Sequence, residues 1–89
     1  MKIYYDHLRH LVTVPYNRET LHRAARLLEI NRCWFSVQPY PHYDIPKRWV
    51  EDFGLKLDEQ LLNLDILGIA YEQVSPREIV RIIKGKSTI

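Results

Sequence analysis

Apolar residues recur along this chain in two patterns, which predict its secondary structure. Short runs rich in β-branched and aromatic residues predict strands at residues 2–5, 33–37 and 69–74. Apolar stripes at helical spacing predict helices at residues 18–29, 46–53, 58–67 and 76–84. Strands that alternate with helices favour a small three-layer α/β domain over residues 1–89, with a mostly parallel sheet of about three strands.

Capping residues mark where several of these helices begin and end. Asn17 precedes the first helical stripe and is a preferred N-cap residue. Ser75 and Glu78 form a capping box with a proline at the first helical position, which is a strong helix-start signal. Gly68 supplies a C-terminal stop, and the prolines within residues 38–46 hold that segment extended.

Polar side chains with catalytic or ligand chemistry follow the ends of the predicted strands. Because parallel strands end at one edge of a sheet and ligands bind beyond that edge, these side chains are expected to meet in one crevice. A helix that follows a strand begins at the same edge, so His22, in the second turn of its helix, is also expected in the crevice. The residues expected in the crevice are Asp6, His10, His22, His42, Asp44 and Ser75.

Imidazole nitrogens and carboxylate oxygens in one crevice favour a divalent metal site. Such donors suit zinc, manganese or iron, and we also consider magnesium as the cofactor. The predicted metal ligands are Asp6, His42 and Asp44. The predicted catalytic residues are His10 and His22. Either of them would act as a fourth metal ligand or as a general base.

The same crevice is expected to bind phosphate. The backbone N–H groups at the helix start after Ser75 can hold a phosphate group, with Arg77 and Tyr43 as further predicted binding residues. Metal-bound water becomes a nucleophile near neutral pH. The leading hypothesis is therefore a metal-dependent phosphodiesterase or nuclease-like hydrolase.

Most of these residues also have a purely structural interpretation. Asp6 can cap a loop, and His22, beside the buried stripe of its helix, can be a hydrogen-bonded core histidine. Tyr43 can pack with its hydroxyl group hydrogen-bonded, and Ser75 can serve only as a helix cap. The segment 42–44 is the strongest candidate, because neighbouring prolines hold it in a fixed orientation.

Composition limits the other classes of function. No apolar run approaches the roughly 18 residues that span a bilayer, so no membrane partner is expected. Cys33 is the only cysteine and the N-terminus lacks a signal-peptide pattern, which together predict a cytoplasmic protein. The net charge is +2, with eight lysines and arginines against four acids in residues 1–50. A basic half can attract phosphates, although charged residues on solvated helix faces are the simpler explanation.

Several short motifs occur in an order that resembles a known family. They are Tyr4-Tyr5-Asp6, His10-Leu11, Leu21-His22 followed by Ala24-Ala25, Trp34-Phe35, His42-Tyr43-Asp44 and Val74-Ser75-Pro76-Arg77-Glu78-Ile79-Val80. Over nearly the whole chain, this order is similar to that of small bacterial and bacteriophage proteins grouped as a domain of unknown function. The resemblance implies a similar architecture, a site at the His-Tyr-Asp motif and a bacterial or phage setting, and it implies no established activity.

The chain departs from that family in two places. Members carry an aspartate between the His-Leu and Leu-His motifs, where this chain has Asn17, so a neutral amide replaces one expected ligand. The stretch from Asp44 to Gly68 is also longer, with residues 53–57 inserted.

Two non-catalytic functions are also compatible with the sequence. The first is a binder of nucleotides or nucleic acid that uses the crevice as an anion pocket. Its contact residues would be Arg9, Tyr40, Tyr43 and Arg77. The second is a protein-interaction module, such as a phage inhibitor of a host defence protein, with a hot spot of Tyr40, Trp49 and Phe53. No sequence signal indicates the oligomeric state.

Overall fold

The computed structural model describes residues 1–85, which form a mixed α/β domain with a five-stranded sheet. The strands are β1 (Lys2–Tyr5), β2 (His10–Val14), β3 (Phe35–Ser36), β4 (His42–Asp44) and β5 (Ala70–Gln73). The helices are α1 (Arg18–Leu28), α2 (Lys47–Glu51), α3 (Leu55–Leu67) and α4 (Pro76–Ile83), and a 3-10 turn spans Arg32–Trp34. The α/β class predicted from the sequence is confirmed.

The sheet is mostly antiparallel, which corrects the prediction of a mostly parallel sheet of about three strands. Its strand order is β3-β4-β2-β1-β5. Strand β5 pairs in parallel with β1, whereas the other neighbouring strands within residues 1–85 pair antiparallel. Because β2 runs opposite to β1 and β4 runs opposite to β2, strands β1, β4 and β5 all end at one edge. We call it the upper edge; β2 begins there and ends at the lower edge.

Strand β2 follows β1 through a tight turn that the sequence does not signal. The turn contains no glycine or asparagine, although Arg9 adopts the left-handed conformation with φ of 73°. The carboxylate of Asp6 stabilises the turn by accepting hydrogen bonds from the backbone N–H groups of Leu8 and His10, both at 2.9 Å. A buried carboxylate thus stabilises a turn that lacks the usual glycine, which is why the sequence does not signal this turn.

The region before α2 also folds differently from its prediction. Of the predicted strand at residues 33–37, Phe35–Ser36 is extended in the sheet, and the residues before it belong to the 3-10 turn. His42–Asp44, predicted as a rigid loop, forms strand β4 between β2 and β3. Since the partners of β4 in β2 are distant in sequence, no local pattern reports this pairing.

The helix boundaries largely follow the capping residues. The side chain of Asn17 accepts the N–H of Thr20 at the start of α1, and Ser75 accepts the N–H of Glu78 at the start of α4. Gly68 ends α3 in the left-handed conformation, with φ of 72°. These three predicted boundaries are confirmed. Helix α2 is shorter than predicted, and α3 begins at Leu55, almost one turn before the predicted start.

Helices pack on both faces of the sheet. Side chains alternate between the faces along a strand, so Tyr43 points to one face and the adjacent His42 to the other. Helix α1 covers the Tyr43 face, where its His22 contacts Tyr43, and α3 packs against α1. Helix α4 covers the opposite face, where Ile79 lines a groove together with His42. Fully buried core side chains include Ile3, Leu11, Leu21, Leu28 and Leu64.

A buried glutamine links α3 to the end of α1. The Nε2 group of Gln60 donates to the carbonyl oxygen of Leu28 at 2.8 Å and to the Glu29 carboxylate at 3.1 Å. Gln60→Ala leaves the Leu28 carbonyl buried without this donor, so we expect the free energy of unfolding in urea to fall by about 1–3 kcal/mol. The control is Glu59→Ala, at an exposed position of α3, which should change it by less than about 0.5 kcal/mol. Equal effects of the two substitutions would contradict this role of Gln60.

Candidate metal centre

Three side chains with metal-ligand chemistry meet near the upper edge of the sheet. His10 in β2 lies directly opposite Asp44 in β4, and His42 lies two positions before Asp44 on the same face. One imidazole nitrogen of each histidine and one carboxylate oxygen of Asp44 lie within 4.8 Å of one another. His42 is buried, whereas His10 and Asp44 are half-buried. We call these residues the His–His–Asp cluster.

The carboxylate of Asp6 holds the ring of His10. Its Oδ1 atom accepts the backbone N–H bonds of the hairpin turn, and its Oδ2 atom lies 2.8 Å from Nδ1 of His10. Because this fully buried carboxylate accepts the hydrogen of Nδ1, the lone pair of a neutral His10 ring lies on Nε2. Carboxylates hold metal-binding histidines in the same way in many proteins.

A backbone carbonyl fixes the ring of His42 similarly. The Nδ1 atom of His42 lies 2.7 Å from the carbonyl oxygen of Tyr40, which can only accept, so Nδ1 carries the hydrogen. The Nε2 atom of His42 lies 3.3 Å from Oδ1 of Asp44. The rings of His42 and His10 meet edge to face, with their centroids 5.6 Å apart. Both imidazoles are therefore held by hydrogen bonds from Nδ1.

This arrangement places electron-rich atoms next to one another. The Nε2 lone pair of His42 and the carboxylate of Asp44 repel each other unless a proton or a metal cation lies between them. Two imidazole nitrogens and one carboxylate are a common ligand set for divalent transition metals, and they leave coordination positions open for water or substrate. The His–His–Asp cluster can therefore hold a metal ion.

A groove of about 270 Å³ lies beside the cluster and runs along α4. One wall is a stripe of α4 residues spaced three or four apart, formed by Pro76, Ile79, Val80 and Ile83. The segment between β3 and β4 contributes Pro39 and Tyr40, and Lys84 lies beyond the end of the helical stripe. His10 and His42 also line the groove. The cluster thus adjoins a mostly apolar space that is large enough for a small ligand.

The structure brings together only some of the predicted ligands. His42 and Asp44, both predicted ligands, belong to the cluster, and His10, predicted as a catalytic residue, joins them. Asp6 lies behind His10, and both of its oxygen atoms are used, by the hairpin turn and by Nδ1 of His10. Asp6 therefore orients one of the three residues of the cluster and is not itself one of them.

His22 does not reach this cluster. The strand before α1 is β2, which runs away from the upper edge, so α1 begins at the lower edge. The Nδ1 atom of His22 lies 2.6 Å from the hydroxyl oxygen of Tyr43, on the face of the sheet opposite His42. The prediction that His22 and Tyr43 join the crevice is wrong. For His22, it assumed a strand direction that the hairpin reverses. Tyr43 points away from the crevice because side chains alternate between the faces of β4.

The departure from the family pattern at Asn17 leaves the cluster intact. Asn17 lies at the lower edge, where its side chain caps α1. An aspartate at this position would cap the helix equally well. The neutral amide therefore removes no ligand from the His–His–Asp cluster.

The remaining predicted binding residues lie beside the groove or outside it. Ser75 caps α4, and its neighbour Pro76 lines the groove. Arg77 is exposed and lies outside the lining of the groove. Arg9 donates from Nη1 to the carbonyl oxygen of Ile45 at 3.2 Å, so it joins two loops at the upper edge.

The predicted aromatic hot spot does not form. Trp49 is buried, whereas Phe53 is 92% exposed and Tyr40 is 45% exposed. Other large exposed apolar side chains lie on α3, at Leu55, Leu62, Ile66 and Leu67. Of the three predicted residues, Tyr40 lines the groove.

The apolar wall of the groove is not predicted from the sequence. The apolar residues of α4 predict one buried face, and Ile79 and Ile82 are indeed buried. Val80, however, is 44% exposed and lines the groove. The sequence signal for this wall is the width of the apolar stripe of α4. Apolar residues at positions 79, 80, 82 and 83 cover more of the helix than a narrow buried face requires.

Comparisons of the chain with protein-family models, with curated proteins and with solved structures find no match. The resemblance to small bacterial and bacteriophage proteins therefore stays a prediction. Within residues 1–85, no helix combines the length and the apolar character needed to cross a bilayer.

Proposed function

We propose that this protein is a metal-dependent hydrolase whose metal is held by His10, His42 and Asp44. One observation carries the proposal: both imidazoles donate from Nδ1, to Asp6 and to the Tyr40 carbonyl group. In the neutral rings both Nε2 atoms therefore carry a lone pair, and a metal bound beside the Asp44 carboxylate would take the place of a proton between Nε2 of His42 and Oδ1 of Asp44. Histidines held in this tautomer need no rearrangement to act as ligands.

The donor set favours a transition metal over magnesium. Imidazole nitrogen suits zinc and iron, and a mixed set of imidazole and carboxylate also accepts manganese, whereas magnesium prefers an octahedral shell of oxygen ligands. We therefore expect zinc or manganese to bind to the cluster more tightly than magnesium does.

Hydrolysis is the reaction that this kind of site supports. A divalent metal in an open site lowers the pKa of bound water, which supplies a nucleophile near neutral pH. The α4 wall and Tyr40 of the groove would hold the substrate and limit the access of bulk water. The ammonium group of Lys84 lines the groove and favours an anionic substrate. We therefore propose phosphodiesters, including nucleic acid, as the substrate class.

A non-catalytic binder of nucleotides or nucleic acid is the second candidate. Tyr40 favours it, because this half-exposed ring at the groove offers a surface on which a base can stack. Binding that persists in a chelator and yields no product would identify this function.

The test is hydrolysis of a chromogenic phosphodiester, and of single- and double-stranded DNA and RNA, with zinc, manganese or magnesium in separate reactions. We expect turnover with zinc or manganese that a chelator abolishes. His10→Ala and Asp44→Asn should lower the rate at least about 100-fold, because each removes a metal ligand. His7→Ala is the matched control, because His7 is exposed, and it should keep full activity.

Two outcomes would contradict the proposal at different levels. Metal binding without turnover on any substrate would support the metal centre and reject the hydrolase. Folded protein that neither binds metal nor hydrolyses phosphodiesters would reject both.

A further inference from the structure

A second cavity lies on the other face of the sheet. It has a volume of about 140 Å³ and is lined by His22, Ala25, Arg26, Ile30, Arg32 and Tyr43. We call it the arginine pocket. The sheet separates it from the metal centre, because His42 and Asp44, the strand neighbours of Tyr43, point to the opposite face.

The arginine pocket carries positive charge without a matching carboxylate. Arg26 and Arg32 line it, and Arg18 lies close enough to act electrostatically on His22. In the part of the chain that the structure describes, none of these three guanidinium groups forms a salt bridge. Guanidinium groups make their strongest hydrogen bonds with carboxylate or phosphate oxygens. An anion from outside the chain would therefore complete the pocket.

The histidine and tyrosine of the pocket supply a further hydrogen-bond donor. Burial lowers the pKa of His22, and the charges of Arg32, Arg26 and Arg18 lower it further, so its imidazole is neutral at pH 7. The Tyr43 hydroxyl lies 2.6 Å from Nδ1 of His22 and donates to it, since a phenol is the better donor and imidazole the better acceptor. The ring hydrogen of His22 then lies on Nε2, which can donate to an anion.

We propose that the arginine pocket binds a phosphate group, either as inorganic phosphate or as the phosphate of a nucleotide. The planar guanidinium groups of Arg26 and Arg32 can each donate paired hydrogen bonds to phosphate oxygens. His22 adds a neutral donor, and the lining contains no carboxylate that would repel the ligand. This site does not depend on the proposed hydrolase, because the two sites lie on opposite faces of the sheet.

The first test is an NMR titration of the full chain with inorganic phosphate at constant ionic strength. We expect saturable shifts at His22 and Tyr43, and a rise in the pKa of His22, because a bound anion offsets the positive charges of Arg18, Arg26 and Arg32. Chloride should cause no saturable shift. If phosphate causes none either, the proposal is overturned.

Variants then show whether phosphate binds in the arginine pocket itself. Arg26→Gln combined with Arg32→Gln should weaken phosphate binding at least about 10-fold, and the fold should persist because both side chains are exposed. Arg23→Gln is the matched control on α1, because Arg23 is exposed and does not line the pocket. Equal weakening by the control would assign binding to general surface charge and reject the pocket.

Three ligands distinguish the source of the phosphate group. Adenosine monophosphate, inorganic phosphate and adenosine are titrated in parallel. Tighter binding of the nucleotide than of inorganic phosphate supports a nucleotide as the ligand, whereas equal affinities support recognition of phosphate alone. Binding of adenosine as tight as that of the nucleotide would contradict recognition through phosphate.

Discussion

Replacing His42 with alanine, or Asp44 with asparagine, is expected to weaken zinc binding at least about 100-fold. Each change would remove one of the three proposed protein ligands, which is a larger loss than removal of a hydrogen-bond partner, itself worth about 10- to 100-fold in affinity. Competition with a chromophoric chelator at neutral pH measures the Kd of each variant.

The two substitutions differ in their effect on the fold. His42 is only 7% exposed, so its replacement also leaves a cavity, whereas Asp44 is half-buried and asparagine has almost the same volume. Asp44→Asn therefore separates the loss of a ligand from the loss of packing. His7→Ala removes an exposed histidine and should leave the Kd unchanged. Wild-type affinity in both ligand variants would show that the cluster is not the metal centre.

Replacing Asp6 with asparagine is expected to weaken zinc binding by about 10- to 100-fold although no ligand is removed. The asparagine oxygen keeps the hydrogen bonds from the backbone N–H groups of Leu8 and His10. Its amide nitrogen then faces Nδ1 of His10, where the carboxylate accepted a hydrogen bond. Because an amide nitrogen donates, Nδ1 must accept, and the ring hydrogen of His10 moves to Nε2, where it blocks the metal.

Nitrogen-15 NMR of the imidazoles reports this change directly. We expect His10 to switch tautomer in Asp6→Asn, and His42 to keep its tautomer because the Tyr40 carbonyl group still accepts from Nδ1. Weaker zinc binding with an unchanged His10 tautomer would make Asp6 a direct ligand, as its position after β1 suggested from the sequence alone. The two measurements together therefore decide which role the carboxylate has.

Features that depend on residues within a few positions of one another are predicted well. Asn17 and Ser75 each accept a backbone N–H group from the first turn of the helix that follows, and Gly68 ends α3 through its own backbone conformation. Such signals act within one turn, so they are visible in the sequence. The hairpin between β1 and β2 is also local, but its turn depends on the buried Asp6 carboxylate rather than on glycine.

The candidate site is likewise predicted from the sequence only in part. His42 and Asp44 are identified from the sequence because prolines frame them, and their shared face follows once residues 42–44 form a strand. The hydrogen bond between Asp6 and His10 is not predicted, because it arises from the turn geometry. His22 is placed wrongly, because α1 follows an antiparallel strand and begins at the lower edge.

The sequence by itself determined the α/β class, the ends of the main helices and the chemistry of the polar groups. Only the tertiary structure decided which of those groups share a face of the sheet. The physical reason is strand direction: one antiparallel neighbour reverses the edge at which the next element starts, and side chains alternate between faces at every residue. That reversal puts His10 beside His42 and Asp44 in the candidate metal centre, and it puts His22 beside Tyr43 in the arginine pocket.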